Sequence, residues 1–149
     1  IENYYKIFMT NILIADDHDL VRDTIAAYLE TVDEFNVFTA QDLNTALEVM
    51  SGLNSIDLLI LDYNMPGMNG LQGLERACTS YPSTKVALMS GVANREVANK
   101  AMERHARGFI PKSLSAISFI NAIKFILSGE RYLPFDLVSS APAGKIMAI

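Results

Sequence analysis

Residues 56–62 read Ile-Asp-Leu-Leu-Ile-Leu-Asp, a short apolar segment that ends in an acid. Four consecutive apolar residues are too few for an ordinary helix and are typical of a strand buried on both faces of a parallel sheet. Gly67 and Gly70 follow in a loop, and apolar residues then recur at helical spacing from Leu71. The segment therefore predicts a strand–loop–helix unit with Asp62 at the carboxyl end of the strand.

The same unit recurs along the chain on both sides of this segment. The predicted strands are Ile12–Ala15, Phe35–Ala40, Ile56–Leu61, Val86–Met89 and Gly108–Ile110. Asp42, Asn94 and Ser115 stand where three of the intervening helices should begin, and their side chains suit helix caps. Alternating strands and helices predict an α/β fold, a flavodoxin-like five-stranded parallel sheet in the order 2-1-3-4-5 with helices on both faces.

Composition and charge limit the classes of protein to which this chain can belong. Its 149 residues are 50% hydrophobic and 19% charged, which indicates one folded domain. The net charge of −5 argues against nucleic-acid binding by this domain, since that function needs a basic face. Its apolar runs are too short to cross a membrane. A single cysteine, Cys78, allows no internal disulfide, and we expect a cytoplasmic location.

Polar residues stand at the carboxyl ends of four predicted strands. They are Asp16 and Asp17 after the first strand, Asp62 after the third, Ser90 after the fourth and Lys112 after the fifth. In the predicted order these strands are neighbours, so all five residues should line one edge of the sheet, where ligands bind in open parallel sheets. We call these five residues the carboxyl-end rim.

The predicted rim has the groups that phosphoryl transfer requires. Three neighbouring carboxylates and one lysine leave an excess of negative charge, which a divalent cation would balance. Oxygen ligands favour Mg²⁺ or Mn²⁺, and the absence of paired His or Cys argues against zinc. A carboxylate such as Asp62 can attack phosphorus. Lys112 and Ser90 can then stabilise the oxygens of the transferred group.

Four motifs, each at a predicted strand end, resemble a known protein family. They are Leu13-Ile14-Ala15-Asp16-Asp17-His18, Leu61-Asp62-Tyr63-Asn64-Met65-Pro66-Gly67-Met68-Asn69-Gly70, Met89-Ser90-Gly91 and Gly108-Phe109-Ile110-Pro111-Lys112-Ser113. Together they resemble the receiver domains of two-component response regulators, and the resemblance covers roughly residues 11–133. It implies a signalling switch that accepts a phosphoryl group on Asp62 from a sensor histidine kinase.

The resemblance also implies a role for each rim residue. The metal would be held by Asp16, Asp17, Asp62 and the backbone carbonyl of Asn64. Asp62 would be the phosphoacceptor, with Ser90 and Lys112 as its catalytic partners. Ser90 and Phe109 would form the switch, in which the ring turns inward as the serine moves towards the phosphoryl group.

The resemblance is strongest to receivers that usually precede a helix-turn-helix output domain, which implies transcription regulation. We expect residues 1–9 to be an N-terminal extension or a cloning remnant, residues 10–133 to be the receiver, and residues 134–149 to be a linker or tail. Too few residues follow Pro134 for an output domain within this chain. A homodimer would form through the face of the fourth helix, fifth strand and fifth helix, or through the fifth helix alone.

Three other functions compete with the interpretation of this chain as a phosphorylated receiver. A phosphohydrolase with an aspartyl phosphate usually carries Asp-x-Asp, but Asn64 and His18 stand at the second acid's position here. We therefore expect no turnover enzyme, only a protein that catalyses its own phosphorylation and dephosphorylation. A nucleotide or flavin binder needs a Gly- or Ser/Thr-rich loop after the first strand, where this chain is acidic. A degenerate receiver that only binds partners is disfavoured by the complete rim.

Structural explanations stand beside these functional ones. Asp16 and Asp17 could simply cap the first helix, and Lys112 could be a solvated surface residue. Phe109 could be ordinary core, because an aromatic ring at a strand end packs well without switching. His18 is expected to be structural or solvent-facing.

Overall fold

Strands and helices alternate along the chain as predicted. The computed structural model describes residues 9–52, 55–92, 94–134, 137 and 146–147. Its strands are β1 (Thr10–Ala15), β2 (Phe35–Ala40), β3 (Leu58–Asp62), β4 (Lys85–Ser90), β5 (Gly108–Pro111), β6 (Arg131–Tyr132) and β7 (Ile146–Met147). Its helices are α1 (Asp19–Glu30), α2 (Leu43–Gly52), α3 (Gln72–Ser80), α4 (Arg95–Glu103) and α5 (Ala116–Leu127).

The strands form one parallel sheet in the order β2-β1-β3-β4-β5-β6-β7. The predicted flavodoxin-like order of the first five strands is therefore confirmed. β6 and β7 extend the sheet beyond β5, with Tyr132 paired to Gly108 and Arg131 paired to Ile146. Neither strand was predicted, because two residues are too short to show a periodic pattern.

Helices cover both faces of the sheet and give it two apolar cores. Leu59 and Leu61 of β3 pack with the buried residues of α2, α3 and α4. Leu58 and Ile60 point to the other face and pack with the buried residues of α1 and α5. All four side chains are fully buried, and each stabilises the fold by about 1.5–3 kcal/mol. Burial on both faces explains why β3 is apolar at successive positions.

The three predicted helix caps are present. Asp42 accepts a hydrogen bond from the Thr45 amide at 2.7 Å. The Asn94 side chain accepts one from the Val97 amide at 3.0 Å, and Ser115 accepts one from the Ser118 amide at 3.2 Å. Each bond satisfies an amide that the first turn of a helix leaves unpaired. Among the described residues, no helix has the length and apolar character needed to cross a membrane.

Both ends of the chain lie largely outside the described residues. Of the predicted N-terminal extension, residues 1–9, only Met9 is described. Of the predicted linker or tail, residues 134–149, the described positions are Pro134, Leu137 and Ile146–Met147. Leu137 is buried against the core that contains α2, α3 and α4. The division of the chain into extension, receiver and linker stays a prediction.

Candidate functional site

Parallel pairing of β1 and β3 brings two acids together at the carboxyl-end rim. Ala15 pairs with Leu61, so Asp16 and Asp62 follow in adjacent positions at the ends of their strands. Their side chains are 0% and 2% exposed. Two acids buried side by side at a strand edge are unusual, because burial disfavours their ionised forms.

Lys112 supplies the counter-charge to both acids. Its backbone amide donates to the Ser90 carbonyl at 2.9 Å, which fixes the residue directly beyond β5. Its Nζ lies 2.7 Å from Asp16 Oδ2 and 3.1 Å from Asp62 Oδ2, and its side chain is only 14% exposed. Neither oxygen accepts an aligned hydrogen bond from the described residues, so both contacts are ion pairs. Lys112 is therefore no solvated surface lysine in this structure.

The three buried charges shift one another's pKa values. Burial and the neighbouring Asp16 raise the pKa of Asp62, although Lys112 and the Asn64 amide oppose them. Burial also acts to raise the pKa of Asp16, but contacts with Lys112 and His18 outweigh it and lower that pKa. Burial acts to lower the pKa of Lys112, but the two carboxylates outweigh it and raise that pKa. Asp62 is therefore the acid of this pair whose ionisation is disfavoured.

His18 joins the acids at the mouth of the site. Its Nδ1 lies 2.9 Å from Asp16 Oδ1, 3.3 Å from Asp17 Oδ1 and 3.8 Å from Asp62 Oδ2. Its ring is 60% exposed, as expected of a solvent-facing residue, but its contacts with three acids were not anticipated. In the sequence, the position of His18 directly after Asp16 and Asp17 was the signal that could have indicated these contacts. His18 is also the N-cap of α1 and makes no side-chain cap, while Asp16 accepts from the His18 amide at 2.8 Å.

The geometry of the acids suits a small divalent cation. Donor atoms of Asp16, Asp17, His18 and Asp62 all lie within 4.8 Å of one another. Three of these residues offer carboxylate oxygens, the donors that Mg²⁺ and Mn²⁺ prefer. The inner oxygens of Asp16 and Asp62 share the ammonium of Lys112 and accept no aligned hydrogen bond from the described chain. A cation would supply the charge that a single lysine cannot.

The remaining predicted site residues lie around this cluster. The Asn64 amide donates to Asp62 Oδ1 at 3.4 Å. Ser90 is buried, and its hydroxyl donates to the Val92 carbonyl at 3.1 Å and accepts from the Val92 amide at 3.2 Å. Phe109 is 1% exposed and packs in the core shared with α2, α3 and α4. Ser90 thus contacts the loop before α4, and Phe109 is part of the core, in this structure.

Known proteins with this arrangement were found by comparison. Residues 12–124 match the family model of the response regulator receiver domain. The crystal structure of a LuxR family DNA-binding response regulator from Silicibacter pomeroyi is 36% identical, with a TM-score of 0.72 over 82% of this chain and 94% of that one. The signal receiver domain of NarL from Mycobacterium tuberculosis is 30% identical, with a TM-score of 0.74 over 82% of this chain and 98% of that one.

Curated relatives extend beyond the aligned region. The glycerol metabolism activator of Pseudomonas putida is 38% identical over 133 residues, which are 87% of this chain and 59% of that protein. The response regulator UvrY of Escherichia coli K12 is 26% identical over 93% of this chain and 63% of that protein. The chain therefore spans about three fifths of the length of these relatives. The chain belongs to the receiver domain family of two-component response regulators, in which phosphorylation of an aspartate is typical.

Proposed function

We propose that this chain is a phosphorylation-operated switch whose phosphoacceptor is Asp62. The observation that supports this assignment is the shared ion pair, in which Lys112 Nζ lies 3.1 Å from Asp62 Oδ2 and 2.7 Å from Asp16 Oδ2. An Asp62 oxygen attacks the phosphorus of a kinase phosphohistidine, the P–N bond breaks with its electron pair going to nitrogen, and the ring leaves as neutral imidazole because its other nitrogen was already protonated. The new bond is an acyl phosphate on the Asp62 carboxyl group.

Each neighbour of Asp62 has a defined part in this proposal. Asp16, Asp17, Asp62 and the Asn64 carbonyl hold Mg²⁺ or Mn²⁺, which stabilises charge on the transferred group when it is bound. Once Asp62 carries the phosphoryl group its own carboxylate charge is lost, so the Lys112 ammonium, still paired with Asp16, can contact the phosphoryl oxygens. Ser90 can donate its hydroxyl to another of those oxygens.

Ser90 and Phe109 are proposed to transmit the change. Ser90 now exchanges hydrogen bonds with the backbone of Val92, in the loop that leads to α4. If its hydroxyl turns to the phosphoryl group, both bonds are lost and that loop is free to move. Phe109 lies one strand away, paired in register with Leu88, and its buried ring can follow the serine. Phosphorylation of the rim would thereby reach the α4–β5–α5 face.

The chain is proposed to catalyse only its own phosphorylation and dephosphorylation. A turnover phosphatase needs a second acid that protonates the leaving group. Asn64 stands two residues after Asp62, and the exposed His18 ring already contacts Asp16 and Asp17. We therefore assign the site to single-turnover transfer between a donor and Asp62.

Response regulators of this family partner with histidine kinases and can dimerise. We propose a sensor histidine kinase as the donor and the exposed surface of α5 as the contact with another protein. Ile117 of α5 is 74% exposed and Leu20 of α1 is 81% exposed. A groove of about 330 Å³ between these helices extends to Lys112. The described residues of α4 include no large exposed apolar side chain, so α5 is favoured over the α4–β5–α5 face.

The wider protein is proposed to regulate transcription in the cytoplasm. The LuxR family relative from Silicibacter pomeroyi is described as a DNA-binding response regulator, and this chain spans about three fifths of its curated relatives. An acidic receiver with a net charge of −5 is poorly suited to bind DNA itself. We propose that an output domain joined through residues 134–149 does so.

Intact mass after incubation with acetyl phosphate tests the proposal. We expect one added phosphoryl group on the wild-type chain with Mg²⁺, and none with EDTA or on Asp62→Asn. Asp19→Asn is the matched control, because Asp19 lies next to the site but is 81% exposed and paired with Arg22. An adduct that persists on Asp62→Asn would move the phosphoacceptor to another residue, and no adduct on any chain would favour a pure binding module.

Metal binding is tested separately by thermal unfolding in Mg²⁺ and in EDTA. Because only the folded rim assembles the ligands, Mg²⁺ at 100 times its Kd should stabilise the wild type by about 2.7 kcal/mol. Asp17→Asn should lose most of this increment, while Asp19→Asn should keep it. An equal response of both variants to Mg²⁺ would exclude Asp17 as a ligand.

A further inference from the structure

A second pocket lies at the amino ends of the strands, on the side of the sheet opposite to the carboxyl-end rim. It has a volume of about 570 Å³ and is lined by residues at the amino ends of β4, β5 and β6 and by parts of α3 and α4. Four of its side chains are basic, Lys85, His105, Arg107 and Arg131. Its volume is within the range of about 300–1,000 Å³ that is typical of small-molecule sites. We call it the amino-end pocket.

Among the described residues, the amino-end pocket has no acid to balance its cations. None of the described residues that line it is Asp or Glu, although the whole chain carries a net charge of −5. Two nearby acids have other partners: Asp57 Oδ2 accepts from the Asn11 amide at 2.7 Å, and Glu75 pairs with Arg104 at 3.4 Å. Among the described residues, the side chains of Lys85 and Arg107 have no ion pair or hydrogen bond.

Arg131 is held rigidly against the wall of this pocket. Its Nη2 donates to the carbonyls of Met102 and Ala106, which fixes the guanidinium at the end of α4. Its other donor nitrogens have no acceptor within the described chain. Burial and the nearby charge of Arg107 lower the pKa of Arg131, so the two guanidinium groups repel each other. An anion between them would remove this repulsion.

The rest of the lining suits a ligand that has an apolar part as well as a charged group. Exposed Pro82 and half-buried Cys78 contribute apolar surface beside the basic groups. An inorganic ion would leave that surface exposed to water, whereas an organic anion would cover it. Three cations that line one pocket, including the Arg107 guanidinium with its paired donors, match a phosphate dianion better than a single carboxylate.

We propose that the amino-end pocket binds a small phosphomonoester, with the phosphate between Lys85, Arg107 and Arg131 and an apolar body against Cys78 and Pro82. The site is separate from the carboxyl-end rim, because parallel strands place the two at opposite edges of the sheet. Ligand binding there does not depend on phosphorylation of Asp62.

NMR titration of the ¹⁵N-labelled chain with adenosine monophosphate tests this proposal. EDTA is present throughout, so that no metal draws phosphate to the rim. We expect saturable shifts at the amides of Lys85, Val86 and Arg107, and at least tenfold weaker binding by both adenosine and inorganic phosphate. Arg107→Ala should weaken binding at least tenfold, and Arg107→Lys should weaken it less.

Lys124→Ala is the charge-matched control, since Lys124 is exposed on α5 and outside the pocket. Its affinity for adenosine monophosphate should equal that of the wild type. The proposal is overturned if no saturable shift occurs at the pocket amides, if adenosine binds as tightly as the monophosphate, or if Arg107→Ala binds normally. Tighter binding of a hexaglutamate peptide would also overturn it, because the occupant would then be an acidic protein segment.

Discussion

The two edges of the sheet hold opposite imbalances of charge. At the carboxyl-end rim one ammonium contacts two buried carboxylates, with Asp17 beside them. The amino-end pocket is lined by the three cations Lys85, Arg107 and Arg131 and by no described carboxylate. In each case the folded chain keeps like charges together, which destabilises it unless a ligand of opposite charge binds. The imbalance therefore indicates the sign of the ligand at each edge, a cation at the rim and an anion at the pocket.

Replacing Lys112 should have the largest effect on stability. Lys112→Ala leaves two carboxylates that are 0% and 2% exposed without their shared cation. Loss of one partner from a buried ion pair costs about 3–5 kcal/mol, and we expect a decrease in this range in the free energy of unfolding. Urea denaturation at pH 7 in EDTA measures it. Lys124→Ala, on the exposed side of α5, should change the value by less than about 0.5 kcal/mol.

The outcome for Lys112→Ala decides whether the rim depends on this residue. A loss below about 1 kcal/mol would mean that water already screens the two acids, and the rim would then resemble a surface ion pair. Addition of Mg²⁺ to the variant should recover part of the lost stability, because the metal supplies positive charge to the same oxygens.

Replacing Asp62 should increase the free energy of unfolding, by less than replacing Lys112 decreases it. The pKa of Asp62 is raised above its ordinary value of 3.8, so its ionisation destabilises the folded state above that raised pKa. Asp62→Asn should therefore increase the free energy of unfolding at pH 7 in EDTA, by less than the loss expected for Lys112→Ala. The increase should vanish as the pH falls through the raised pKa towards 3.8, since wild-type Asp62 then binds a proton.

Asp16 provides an internal check on that titration. Its pKa is lowered below 3.8, so its stabilising contribution is present above 3.8 and is lost only at lower pH. Urea denaturation of the wild type and of Asp62→Asn between pH 7 and pH 3.5 separates the contribution of Asp62 to stability from that of Asp16. A difference between wild type and Asp62→Asn that stays constant over this range would show that proton binding by Asp62 is not its source.

The rim could be predicted from the sequence, but the pocket could not. Asp16, Asp62 and Lys112 each follow a strand that the apolar pattern locates, and parallel order then brings them together. Lys85 begins β4 and Arg107 precedes β5, and a whole helix separates them in sequence, so nothing marks them as neighbours. For the rim, the sequence predicted which residues stand at the strand ends but not how their side chains contact one another. The contacts of His18 with three acids were missed because they depend on the geometry of the loop between β1 and α1.

Other details depended on tertiary structure in the same way. Arg131 begins a two-residue strand that no periodic pattern could show, although it fixes one wall of the pocket. The hydrogen bonds of Ser90 with Val92 depend on the path of the loop before α4. Sequence reasoning therefore located the strand ends, while the structure was needed to show how the loops between them arrange their side chains.

Backbone strain at the mouth of the pocket predicts a small stabilisation. His105 has a φ of 74°, and the Ala106 amide donates to the Ala101 carbonyl at 3.0 Å, a helix end at which glycine is usual. Relief of left-handed strain in His105→Gly is worth about 1 kcal/mol, and the greater freedom of unfolded glycine offsets part of it. We expect a net gain of about 0.5 kcal/mol, measured by urea denaturation.

His105→Ala is the matched control for that substitution. It removes the imidazole but keeps a Cβ atom, so it should keep the strain and show little of the gain. Equal stabilisation by alanine and glycine would mean that the imidazole, rather than the backbone conformation, is unfavourable at this position.

Removing a cation from the pocket should change stability least, in contrast to the rim. Arg107 has no described ion pair to lose, and its charge repels the partly buried Arg131. Arg107→Ala should therefore leave the free energy of unfolding within about 0.5 kcal/mol of the wild type or slightly higher, and added salt should reduce any gain by screening the repulsion. Urea denaturation at low and high ionic strength measures both. A loss above about 1 kcal/mol would show that Arg107 has a stabilising partner. Cations would then be paired with acids at the pocket as they are at the rim, and the contrast in charge between the two sites would not hold.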